Sequence, residues 1–194
     1  VGFGGGGGGG GGRGGGTQGP LVMPGTYTVR VAVSGSPALT GRVVVDADPL
    51  PNMSAADRAA RQALLMRAYD WTKALGNALS GTRELTSQRD QLKNDLAGKS
   101  DSINARIARV SADLSRAFNA VTGQRAPIEG WSGLPSSDQR KSYDTAMEDA
   151  RKALADFNAL VGTDIPAAYR GAGKTWNVKV GAVTVPGAVA GRGQ

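Results

Sequence analysis

Cysteine and histidine are both absent from this chain of 194 residues. Without cysteine there is no disulfide framework and no thiolate metal site. Without histidine, the commonest metal ligand and the commonest general base near neutral pH are missing. Triads of the Ser-His-Asp or Cys-His kind are therefore excluded. No run is long and apolar enough to span a membrane. A charge excess concentrated in one place is lacking too. The formal net charge is +7, but Lys and Arg are interspersed with Asp and Glu. Nucleic-acid binders usually gather their excess on one face or tail. The mixed pattern reads as a solvated surface, and no nucleic-acid partner is expected.

What the chain does have is three apolar stripes with steps of four and three residues. The first is Leu64, Ala68, Trp71, Leu75 and Ala78, continued by Leu85, Leu92 and Leu96. The second is Ile103, Ile107, Val110, Leu114, Ala117 and Val121. The third is Tyr143, Met147, Ala150, Leu154, Phe157 and Val161. That spacing keeps side chains on one face of an α-helix, and its near-heptad period suits helices crossing at shallow angles. Three such faces can cover one another. The expected fold class is mainly α with a small β part: an antiparallel three-helix bundle over 54–162.

Four segments are expected. Residues 1–19 are nearly all glycine and read as a flexible, disordered linker. Val1, with no Met before it, runs directly into this tract, the pattern of a piece cut from a longer protein. Residues 20–48 read as a β-hairpin. Thr26–Val33 alternates, with Tyr27, Val29, Val31 and Val33 on one face. Ser34-Gly35-Ser36-Pro37 turns the chain, and Leu39–Val45 forms the second strand. Two strands alone are marginal in water, so this hairpin must lean on the helices or on strands elsewhere.

Asp48-Pro49-Leu50-Pro51-Asn52 is a stiff break. Ser54, with Asp57 three residues on, caps a first helix running from 54 towards Gly98. Gly76 and Gly81 are its expected weak points. Ser100 or Asp101 starts the second helix, about 101–122, and Gly123 ends it. A loop over 124–134 brings Trp131 and Leu134 against the bundle end. Pro135-Ser136-Ser137-Asp138 caps the third helix, about 136–161. Residues 163–194 read as an irregular tail with one possible strand near Trp176, Val178 and Val180.

Two patterns have a chemical reading. Ala168-Tyr169-Arg170-Gly171-Ala172-Gly173-Lys174-Thr175 matches a relaxed phosphate-loop pattern with Ala in place of the first Gly. Such a loop needs a strand before it and a helix after it, so that free amides and a helix N-terminus face the phosphate. Here a helix end precedes it and an extended stretch follows. Asp144, Glu148 and Asp149 pair carboxylates, but they are spaced among Arg140, Lys141, Arg151 and Lys152 as surface ion pairs are. Glycosidase chemistry needs carboxyls facing across a cleft. No catalytic, cofactor-binding or metal-ligating residue is assigned, and no cofactor is expected.

The stretch Gly19-Pro20-Leu21-Val22-Met23-Pro24-Gly25-Thr26-Tyr27-Thr28-Val29-Arg30-Val31, a second strand, then Asp46-Ala47-Asp48-Pro49 and Ser54-Ala55-Ala56-Asp57, carries a resemblance. It resembles the C-terminal region of large exported bacterial proteins with sortilin-like, Asp-box β-propellers, often labelled glycosyl hydrolases. The likeness covers residues 19–75, and the later helices in pattern; the 163–194 tail departs from it. The resemblance implies that the hairpin closes an immunoglobulin-like sandwich and that a propeller lies upstream. It implies a secreted or periplasmic setting, with the parent's own propeller and Ig-like domains as partners. No Asp-box occurs here, so no catalytic residue is carried over. The chain is expected to be a non-catalytic accessory region, structural or protein-contacting. The alternatives are a stand-alone basic helical binder of acidic partners, and part of a hydrolase whose active site lies in the propeller.

Overall fold

The computed structural model describes residues 19–47, 53–130, 133–177 and 180–187. The glycine tract up to residue 18, the break at 48–52, Trp131, Val178 and the last residues from 188 lie outside the described residues. The chain is mainly helical, with one small antiparallel hairpin ahead of the helices.

Strand β1, Gly25–Val31, pairs with β2, Leu39–Val45, in the register Tyr27 to Val43, Val29 to Gly41 and Val31 to Leu39. The first strand ends two residues before the expected Val33. Gly35, at φ 81°, and a bond from the Ser36 amide to the Val33 carbonyl (3.1 Å) turn the chain there. A left-handed φ of this kind favours glycine.

Helix α1 spans Ala55–Ser87 and begins as expected, with the Ser54 hydroxyl accepting from the Asp57 amide. Helix α2, Arg89–Leu96, follows after a break at Gln88. A 3-10 turn, Ala97–Lys99, leads into α3, Ser100–Glu129. Helix α4, Ser137–Ala159, continues through a π-turn, Leu160–Asp164, into α5, Ile165–Gly171.

Side-chain contacts give the helix directions. The Arg61 guanidinium near the start of α1 reaches the carbonyls of Ile128 and Glu129 at the end of α3, so these helices are antiparallel. Arg106 of α3 meets Asp156 of α4, again antiparallel. Tyr143 at the start of α4 donates to the Leu64 carbonyl (3.0 Å), so α4 runs parallel to α1. The bundle is up-down-up. Its three stripes meet in one core around Trp71, Leu114, Leu154 and Phe157, all essentially inaccessible to solvent. Thr72 and Thr82 are buried too, and each hydroxyl bonds a carbonyl of its own helix.

Several expected boundaries move. The first helix breaks at Gln88, not at Gly76 or Gly81. Thr82, Thr86 and Ser87 turn their hydroxyls back onto backbone carbonyls just ahead of the break. Such back-bonding weakens and bends helices. Gly81 instead marks a close approach: a β-carbon there would stand 2.7 Å from Phe157 Cζ and 3.1 Å from Val180 Cγ1.

Helix α3 starts after Lys99, which makes no side-chain cap, and Ser100 is buried inside the helix rather than capping it. Gly123 does not end α3. The seam continues seven residues beyond Val121 to the buried Ile128, and an Arg125–Glu129 ion pair (2.9 Å) spans the last turn. Pro127 sits within that turn and offers no N–H to the Gly123 carbonyl, so the helix passes both residues at the cost of one backbone bond. Leu134, expected against the bundle end, is exposed, while Pro135 is buried. The Ser136 cap forms a full capping box with Gln139.

Gly162 does not end the bundle either. Val161, Ile165 and Tyr169 extend the four-residue steps of the third stripe, and all three are buried. Pro166 lacks the N–H that the Gly162 carbonyl would take, and the backbone shifts to a π-turn in which the Ile165 amide bonds Leu160. Beyond α5 the described residues join no helix or sheet.

Gly81→Ala is therefore expected to destabilise the chain by a net ~1–2 kcal/mol, because forcing a methyl into filled space outweighs the gain in helix propensity. Gly76→Ala, whose new methyl would meet only Phe118 at an ordinary 3.9 Å, should be neutral or mildly stabilising. Urea unfolding midpoints of the two variants check the contrast.

Candidate functional site

The carboxylates singled out from the sequence lie on the outer face of α4. Glu148 pairs with Arg151 (2.9 Å) and more loosely with Lys152 (3.8 Å), and all three are about half exposed or more. Asp144 and Asp149 share that outer face, along one helix and not across a cleft. Pairs of this kind on an open surface contribute little. Among the described residues no group of three acidic side chains gathers to hold a metal ion.

The phosphate-loop pattern is a helix terminus. Residues 168–171 are the last turn of α5. Gly173 adopts φ 68°, its amide bonds the Arg170 carbonyl, and the Lys174 amide bonds the Tyr169 carbonyl. This is a Schellman cap. The two amides are spent on the helix, and the helix end they meet carries the negative pole of its dipole. Lys174 Nζ pairs with Asp95 of α2 (2.9 Å) and donates to the Asn94 carbonyl. Every element a phosphate would use is occupied or of the wrong sign.

That corner ties α2 to the end of α5. The Tyr169 hydroxyl donates to Asp95 (3.1 Å), and the Tyr169 ring meets Trp176 edge-on with centroids 5.1 Å apart. The Lys174 hydrogen bond holds the Asp95 carboxyl below its ordinary range, against desolvation that pushes it up. Burial, followed by the Asp95 contact, raises the Tyr169 phenol to about 12. Burial likewise raises Tyr143 to about 12.

Two surfaces remain with unspent chemistry. One is the hairpin. Residues facing each other across the ladder share a face. Tyr27, Val29, Val31, Leu39 and Val43 fall on one side, and Thr26, Thr28, Arg30, Thr40 and Arg42 on the other. The apolar side is bare: Val29, Val31, Leu39 and Val43 are all exposed, Leu39 at 73%. Only the root is seated. Met23 and Val45 are half-buried around a cavity of about 510 Å³ beside Met53 and Leu65. Gln62 and Arg125 donate to the carbonyls of Leu21 and Gly19.

The second surface is a shallow groove of about 640 Å³ between α1 and α3. Lys73 and Arg83 line it with Tyr69, Phe118, Asn77 and Asn119, and no carboxylate does. Neither cation forms an ion pair with a described residue.

Sequence reasoning found the hairpin face through its alternation. It missed the α1–α3 groove, because Lys73 and Arg83 converge only once the helices are packed. It also missed Asn158, whose carboxamide makes two backbone bonds to Val183 (2.8 and 2.9 Å). An asparagine within a helical pattern is the only local hint of such a role. No family model, curated protein or solved structure matches this chain.

The raised phenols fix an alkaline response. In the unfolded chain tyrosine ionises near ~10. The native state keeps both phenols neutral, so their stabilisation is complete below about pH 10 and is lost as pH climbs towards 12. Urea midpoints are expected to fall across that window, and the decline should flatten in Tyr143→Phe with Tyr169→Phe. An unchanged decline in the double variant counts against this assignment.

Proposed function

We propose that this chain is a non-catalytic accessory region of a larger exported β-propeller protein, serving as a structural or protein-contact module. On this reading, the hairpin is the closing pair of an Ig-like sandwich whose other strands belong to the same parent. The observation that carries it is the contrast between the two halves. The helical stripes bury one another, while the hairpin leaves an apolar sheet face open. A two-stranded sheet of this kind gains little stability alone, and a bare patch of aliphatic side chains marks a contact surface. The resemblance of residues 19–75 to the propeller family's closing hairpin supports the choice of sandwich strands as the cover. Any hydrolytic activity of the parent then belongs to the propeller and survives replacement of the carboxylates on α4.

The chain alone is expected to bind a hydrophobic dye through this face. Val29→Thr, Val31→Thr and Val43→Thr together should abolish most of the dye signal and leave the helical circular dichroism intact. Fusion to sandwich strands should protect the amides of 25–31 and 39–45 from hydrogen exchange. Protected hairpin amides in the chain by itself, or undiminished dye binding in the triple variant, overturn the reading.

Lys73 and Arg83 favour one second reading, a basic binder of acidic partners through the α1–α3 groove. It predicts affinity for a polyanion that falls steeply with salt and drops in Lys73→Ala with Arg83→Ala. An accessory module shows little such affinity at physiological salt.

A further inference from the structure

After α5, residues 180–187 lie back along the bundle. Lys174 anchors the start of their segment to Asp95, and Gly173 supplies the turn out of the helix. Trp176 rests on Tyr169. Val180 then enters beside Gly81, where Phe157 also closes in. At Val183 the Asn158 carboxamide donates to the carbonyl (2.9 Å) and accepts from the amide (2.8 Å). Residues 182–187 lie alongside Asp70, Lys73, Ala74 and Asn77 of α1. Val183 and Val185 point inward and are half-buried, while Ala182 and Thr184 are exposed.

The chemistry of this seat is that of strand recognition. A carboxamide offers one donor and one acceptor, the complement of a single residue's carbonyl and amide. Asn158 therefore takes the place of a neighbouring strand and reads backbone rather than side chain. The shallow apolar seats beside it read alternate residues, the spacing of an extended chain. The segment's own hold is light. It has no ladder partner among the described residues, its ion pair is partly exposed, and its valines are only half-buried. Segments held this way open locally at low free energy.

We propose that the groove between α1 and α4 is a binding site for an extended, uncharged peptide of a partner protein, with apolar residues at alternate positions. Residues 180–185 fill it as an intramolecular ligand, and an incoming strand of the same chemistry displaces them. This site is separate from the hairpin face and does not rest on the sandwich reading.

The test uses the full chain and a fluorescent peptide with the sequence of residues 180–187. Tethering gives the cis segment a high effective concentration, so the wild-type chain should bind the peptide weakly. Val183→Asp, which loosens the cis segment, should bind it about tenfold tighter or more. Adding Asn158→Ala should remove that gain. A peptide N-methylated at the residue matching Val183 keeps every side chain but lacks the amide Asn158 accepts from, and it should bind about tenfold more weakly, the scale of one or two lost hydrogen bonds. Equal binding of the methylated peptide, or no gain in Val183→Asp with helicity intact, overturns the proposal. Should Val183→Asp lose its helical signal, hydrogen exchange of the wild-type chain decides. The Val183 amide is expected to exchange about a hundredfold faster than that of Leu154 in α4. Exchange of both at the same rate would show that the segment leaves only when the whole bundle unfolds, and would equally overturn it.

Discussion

Phe157 and Val180 both close on the backbone of α1 at Gly81, and that contact sets how near α1 and α4 can come. A helix that lets an aromatic ring approach its backbone must carry no β-carbon there. The approach brings α1 and α4 together as parallel neighbours. Parallel helices cannot be joined by a short turn, so α3 has to run back between them to return the chain to the starting end. It does so at nearly the full length of α1. Val180, Val183 and Val185 pack into the space left beside the α1–α4 contact.

The helix ends show where the charged and polar residues have gone. Ser54 and Ser136 cap starts, and Gly173 closes the end of α5. Arg61 donates to the last carbonyls of α3 from the facing helix, where a cation also suits the negative pole. Arg106 is bound to Asp164 (3.1 Å) and sits within 3.4 Å of Asp156, tying α3 to both sides of the π-turn. These charged and capping groups are thus engaged in holding elements together.

The three stripes and the hairpin were legible because both depend on local periodicity. Tyr27, Val29 and Val31 alternate within one strand, and Leu154 and Phe157 recur within one helix, so no distant information is needed. The ends of elements were less legible. Gly123 and Gly162 looked like stops because glycine lowers helix propensity, yet Ile128, Ile165 and Tyr169 lay further along the same seams and their burial carried the helices on. Gln88 gave no warning of a break, since neither glycine nor proline stands at or beside it. For Lys174, by contrast, the elements that a phosphate loop requires on either side could be looked for in the sequence itself, and the helix end expected before it is there. Asn158 could not be read at all: its partner is 25 residues away and contributes only backbone.

The hairpin's sidedness has an architectural consequence. Arg30 and Arg42 sit with three threonines and the exposed Val44 on the face opposite Tyr27, Val29, Val31, Leu39 and Val43, and a guanidinium buried without a partner carbonyl or carboxylate is costly. The two faces of the hairpin therefore differ in what can cover them: Tyr27, Val29 and Leu39 need only apolar surface. A layer laid on the other face would have to supply a carbonyl or carboxylate to each of Arg30 and Arg42, so the threonine face is the one suited to water.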